Sequence, residues 1–181
     1  MEFNPRIQFT SMEIQDCLAF TSDLTKDSRG SLTRIWEDNT ILTRFKIIEA
    51  SIAINPSSGT LRGLHFQTEP YSENKIIQCV SGKVFDVVLD IRKESNTYRK
   101  HMAIEIGPSC EFQGLFVPKG CAHGYLTLEP NTNLIYFMDN QHSITHSQGI
   151  RWDDNELSIN WPNKPKIVSN KDCSWPVFRD I

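Results

Sequence analysis

The sequence has no C-x-x-C pair, no His-x-His pair, no stretch approaching the ~20 apolar residues of a membrane span and no surplus of positive charge. Cys17, Cys79, Cys110, Cys121 and Cys173 are odd in number and widely spaced. That pattern suggests neither a disulfide framework nor a zinc site, and leaves five reduced thiols that behave as small apolar side chains. A formal charge of -3 argues against the broad basic footprint of a nucleic-acid or anionic-membrane binder, so an anionic ligand has to be met by a few local Lys and Arg. The opening Met1 to Phe9 lacks a basic segment followed by an apolar run. The expectation is a soluble cytoplasmic protein with no nucleic-acid and no membrane partner.

Helical periodicity is scarce as well, and strand signals fill the space. At 181 residues and 39% apolar side chains the chain can bury one core, which makes a single domain over 1–181 the expectation. Short β-branched and aromatic runs bounded by turn residues occur at 45–54, 75–80, 83–91, 101–106, 114–117 and 133–138. Their spacing of roughly ten residues is that of a sandwich or small barrel. Ser81-Gly82 reads as a hairpin between two of them. Residues 1–44 mix strand-like pieces such as Arg6 to Thr10 with the turn Asp27-Ser28-Arg29-Gly30, and could pair with the barrel edge or with a second subunit. The barrel core spans 45–160. In the segment 161–181, Ser169-Asn170-Lys171-Asp172 has the form of a capping box opening a short helix. An all-β antiparallel barrel or jelly roll with one short C-terminal helix results, since closing the sheet removes its edges.

Several polar residues sit where strands usually bury apolar ones. Alternation puts Phe85, Val87, Leu89 and Ile91 on one face and Val84, Asp86, Val88 and Asp90 on the other, so the two carboxylates mark a polar cavity, a rim or a solvated face. His65, His123 and Tyr136 each lie in apolar surroundings, where a lone His or Tyr is usually a satisfied core residue. Arg62 and His65, three apart, point to opposite faces of a regular strand unless Gly63 marks a bulge.

Together these segments resemble one family, the dTDP-4-dehydrorhamnose 3,5-epimerases, homodimers of the cupin jelly-roll fold. The resemblance runs from Arg29 to Asp172 and rests on L-R-G-L-H-F-Q at 61–67, V-F-D-V-V-L-D-I-R-K-E-S at 84–95, V-P-K-G-C-A-H-G at 117–124, G-I-R-W-D-D at 149–154 and W-P at 161. It implies His65 as catalytic base, Asp172 as its partner, Tyr136 as acid on the opposite face of the sugar and Lys75 as stabiliser of enolate charge. It further implies Arg62 on the pyrophosphate, His123 as a second pocket histidine, and Arg29, Gln67 and Lys171 as groups that meet the substrate. No cofactor and no metal are implied: His65 is followed by Phe66 and Gln67, so the paired metal ligand of other cupins is absent, and one or two histidines do not complete a metal site. A homodimer with exchanged N-terminal strands is expected.

The chain also departs from that family. Arg34 stands where a glutamate is common, Ala50-Ser51-Ile52 where a Gln-Asp-Asn stretch is usual, and Gln141 where an aromatic stacks on the base. These changes touch substrate-holding groups and spare the proton-transfer set. The nucleotide, and whether C3, C5 or both invert, stay open. A cupin 3,4-ketoisomerase of a dTDP-sugar and a non-catalytic sugar-nucleotide binder are the alternative functions.

Overall fold

Alternation of apolar residues over short segments gives sheets with two faces, and here the two main sheets pack on each other and each has apolar cover over part of its outer face. The computed structural model describes residues 7–37, 42 and 45–181. In chain order the strands are β1 (Ile7–Ser11), β2 (Leu18–Ser22), β3 (Leu24–Asp27), β4 (Gly30–Thr33), β5 (Glu49–Asn55), β6 (Thr60–Gln67), β7 (Lys75–Ser81), β8 (Val84–Asp90), β9 (His101–Ile106), β10 (Gly114–Val117), β11 (Cys121–Thr127), β12 (Thr132–Met138), β13 (Ser147–Gly149) and β14 (Ile167–Val168). A short helix, α1 (Asn170–Ser174), and a 3-10 turn at Phe178–Asp180 follow. One sheet has the order β1-β2-β10-β7-β12-β5 and the other β13-β6-β11-β8-β9, with β14 parallel to β6. This is the jelly-roll architecture of the cupins.

Between the sheets, Ile77, Cys79, Leu115 and Leu134 of the first meet Val84, Val88, Met102 and Tyr125 of the second. Outside the second sheet, Leu64, Phe66, Val87 and Leu89 are covered by Ile150, Leu157 and Phe178 of the C-terminal segment. Outside the first, Phe20, Ile76 and Phe137 are covered by Trp36, Leu42 and Phe45. The alternation expected for β8 holds: Val84 and Val88 face inward, Val87 and Leu89 outward.

Two local expectations need correction. Ser81-Gly82 does not close a hairpin, because β7 pairs with β10 and β12 while β8 pairs with β11 and β9. The turn carries the chain from one sheet to the other. Its need for glycine is real: Gly82 has φ +71, and a Cβ there would lie 2.9 Å from Thr132 Cα. The run at 45–54 becomes strand only from Glu49, since Phe45 and Ile47 pack as loop residues against the outer face of the first sheet.

At the N-terminus, β1 and β2 extend the chain's own sheet against β10. Arg6, in the strand-like piece 6–10, lies outside the described residues, as do 38–41, 43 and 44. Among the described residues the β3 and β4 strands pair only with each other, with the turn at Asp27 to Gly30.

Candidate active site

A bulge makes the site possible. On β6, Arg62 pairs with Tyr125 and His65 with His123, so Gly63 and Leu64 stand opposite the single Gly124. Gly63 has φ +130, and a Cβ there would come within 2.5 Å of Gly124 Cα. The extra residue resolves the alternation conflict: Arg62 and His65 both line a cavity of about 690 Å³ between the sheets. That volume suits a small-molecule site.

His65 Nε2 lies 2.6 Å from Asp172 Oδ1. Asp172 is delivered by α1, whose N-cap Ser169 accepts the Asp172 amide through Oγ at 3.0 Å. The cap is real, yet the carboxylate does not close the box. It turns to His65, the Trp175 indole (3.2 Å) and the Gly63 amide (3.4 Å). Burial works against its charge, and these donors, led by His65, outweigh burial and hold its pKa below the usual carboxylate value. The His65 side chain keeps 39% of its exposure while that of Asp172 has 5%.

The opposite wall carries Tyr136 on β12 and Lys75 at the start of β7, both lining the same cavity. Lys75 Nζ is 2.9 Å from Glu73 Oε1. Burial pushes the Tyr136 phenol well above its ordinary pKa, with the neighbouring Tyr125 and Asp86 adding to the effect, so it stands protonated. At the floor, His123 Nε2 is 2.9 Å from both oxygens of Asp86, whose pKa is raised by complete burial against the lowering influence of His123.

The remaining expected groups divide. Arg62 and Lys171 line the cavity, Arg62 bonded through Nε to Asn55 Oδ1 at 3.1 Å and Lys171 with Nζ 5.1 Å from the Trp175 ring centre. Gln67 lines it too, but its amide is engaged by protein. Nε2 donates to Glu73 (2.7 Å), to Tyr71 O (2.9 Å) and to Gln141 O (3.1 Å), and Oε1 accepts from the Ser143 amide (2.7 Å). It serves as a brace for the loops at the mouth. Arg29 lies outside the cavity, at the tip of the β3–β4 hairpin, 88% exposed and paired with Asp27 at 2.6 Å. Arg34 lines a separate hollow with Asp23, Thr25, Leu32 and Thr33.

Three lining residues were not anticipated. His142, rather than Gln141, faces the cavity, its amide donating to Glu49 Oε2 at 3.0 Å. Tyr125 follows His123 by two on β11 and shares its face, a signal that alternation offered. Glu49, at the start of the edge strand, carried no signal. Among the described residues no group of three His, Cys, Asp or Glu side chains is arranged to hold a metal ion.

The family model for dTDP-4-dehydrorhamnose 3,5-epimerase matches residues 11–180. The enzyme of that name from Sinorhizobium fredii is 33% identical over 177 residues, covering 96% of this chain and 90% of the relative. That from Shigella flexneri is 33% identical over 172 residues, covering 93% and 94%. The crystal structure of the Bacillus anthracis enzyme with TDP and PPi bound superimposes with a TM-score of 0.88 at 32% identity, covering 94% of this chain and 99% of that one. The chain belongs to the dTDP-4-dehydrorhamnose 3,5-epimerase family.

Proposed function

We propose that this chain inverts C3, C5 or both in a nucleotide-linked 4-keto-6-deoxy sugar of the dTDP-4-dehydro-6-deoxy-D-glucose type. The observation that carries the proposal is the His65–Asp172 pair at 2.6 Å on one wall of a cavity whose other wall presents Tyr136 and Lys75. The hydrogens on C3 and C5 are α to the C4 carbonyl, so removing either gives an enolate with its charge on O4. The His65 nitrogen not bonded to Asp172 takes the proton, and Asp172 fixes the tautomer and steadies the imidazolium. Tyr136 returns a proton from the opposite side, and inversion results. Lys75 stabilises the charge on O4, an effect worth ~3 kcal/mol per well-placed donor. Arg62 and Lys171 meet the diphosphate, and His123, held by Asp86, forms the floor beneath the sugar.

The reaction needs no metal and no cofactor, since the ketone itself supplies the electron sink. No helix among the described residues is long and apolar enough to cross a membrane, which fits a cytoplasmic enzyme. A homodimer completes the reading. Because β1 and β2 are used within the chain, the β3–β4 hairpin is the piece to lend, carrying Arg29 toward a partner's site. Exposed Leu32 on that hairpin and exposed Ile52 and Ile54 on the edge strand β5 support such a contact.

Incubation with dTDP-4-keto-6-deoxyglucose in D2O, followed by NMR, tests the proposal. Deuterium at C3, C5 or both with inverted configuration is expected; no incorporation with any nucleotide tried would reject catalysis.

A further inference from the structure

Tyr125 is almost fully buried at 1% exposure, yet its ring lies in the cavity wall beside Tyr136, and each of the two rings lies near His123, with centroids 6.5 and 6.3 Å away. We propose that Tyr125 is a positioning residue for Tyr136, one end of a hydrogen-bonded chain that runs through Asn55 to Arg62. The proposal rests on the epimerase reading and adds to it a residue that acts on the acid rather than on the sugar.

The orientation of Asn55 decides the direction of the chain. Its Nδ2 donates to Thr132 O at 3.0 Å and Ala53 O at 3.4 Å, so Oδ1 is the atom left to accept. It accepts from Arg62 Nε at 3.1 Å and from the Tyr125 hydroxyl at 3.3 Å. With its proton turned to Asn55, Tyr125 keeps an oxygen lone pair for Tyr136, which packs against the same core cluster and lines the same cavity, and in the proposal that lone pair holds the rotor of the acid. During turnover the Tyr136 O–H bond breaks as a C–H bond forms on the enolate carbon, the C=C electron pair moves to that carbon and C4=O4 is restored. Charge is left on the Tyr136 oxygen in a largely desolvated site, where an uncompensated charge is costly. Tyr125 then turns its O–H from Asn55 to that phenolate, while Asn55 Oδ1 retains Arg62. Solvent later restores the Tyr136 proton. The same Asn55 oxygen therefore links the arginine at the diphosphate to the group that delivers the proton.

Tyr125→Phe is the test, and it leaves no orphan acceptor, because Asn55 Oδ1 keeps Arg62. The variant is expected to retain its thermal midpoint within a few degrees. Net inversion should fall roughly 10- to 100-fold, the range for losing one hydrogen bond to a charged group, while deuterium exchange at the carbon served by His65 stays near the wild-type rate. In a Tyr136→Phe background, Tyr125→Phe should cause no further loss. Asn55→Ser, which removes the acceptor but leaves the Tyr125 ring in place, should show the same selective loss of inversion at smaller size, with KM raised through Arg62. Tyr125→Phe inverting at the wild-type rate, slowing exchange and inversion equally, or multiplying with Tyr136→Phe overturns the proposal. A wild-type protein that exchanges neither hydrogen overturns the epimerase reading itself, a different outcome from any of these.

Discussion

Two histidine–aspartate pairs place their imidazoles on the same cavity and differ in almost everything but composition. His65 and Asp172 meet at 2.6 Å across a strand and a terminal helix, and the imidazole remains 39% exposed. His123 and Asp86 meet at 2.9 Å between neighbouring strands, at 5% and 0% exposure. Donors from Trp175 and Gly63 join His65 in pulling the Asp172 pKa down, whereas burial pushes that of Asp86 up. A base must exchange its proton with substrate and solvent in every turnover, which the first pair allows and the second does not. Residue type makes both pairs candidates, and exposure with the count of donors sets them apart.

The sharpest way to break this contrast is to remove the His65 imidazole. His65→Ala should abolish deuterium exchange at C3 and C5, a loss of about 10³-fold or more, and exchange surviving in that variant would move the base elsewhere. Changing the carboxylates comes next. Asp172→Asn keeps the shape and frees the wrong tautomer, so kcat should drop by roughly 10²-fold or more. Asp86→Asn keeps an acceptor for His123 and removes a buried charge, and kcat should fall at least ~10-fold less than with Asp172→Asn. Equal losses from the two would erase the distinction.

A smaller effect concerns stability in acid. Asp90, on the same strand face as Asp86, is buried, but the hydrogen bonds from Arg92, Ser95 and Thr97 outweigh that burial and hold its pKa at about 2. Its folded pKa is depressed below the ordinary ~3.9, so its contribution is present above about pH 4 and is lost as pH falls toward 2, on the order of 2 kcal/mol. Asp86 has the opposite sign. Its raised pKa makes the ionised form a cost to folding that is relieved as pH drops. Denaturant unfolding between pH 5 and 2 should therefore show Asp90→Asn with a flatter acid decline than wild type, and Asp86→Asn with a steeper one.

The fold class is legible because β1, β5, β7, β8, β9, β10 and β12 declare themselves by composition and length, whereas β2, β3, β4, β11, β13 and β14 do not. Residues 101–106 and 114–117 form β9 and β10 as their composition implies, and the bulge that glycine makes plausible between Arg62 and His65 is present at Gly63. Turn chemistry was less informative. Ser81-Gly82 needs positive φ whether it closes a hairpin or crosses between sheets, and only the long-range partners of β7 and β8 decide. Beyond Met138 the strand has ended and alternation no longer says which side chain turns inward: the resemblance points to position 141, and it is His142 that lines the cavity. The role of Asn55 depends on partners at Thr132, Arg62 and Tyr125, which no local pattern announces.

The central claim is that one sugar ring is flanked by a base on the first wall and an acid on the second. Tyr136→Phe, incubated with dTDP-4-keto-6-deoxyglucose in D2O and followed by NMR for both deuterium content and configuration at C3 and C5, measures it directly. Continued exchange with net inversion slowed is the expected result. Inversion at the full wild-type rate would contradict the claim.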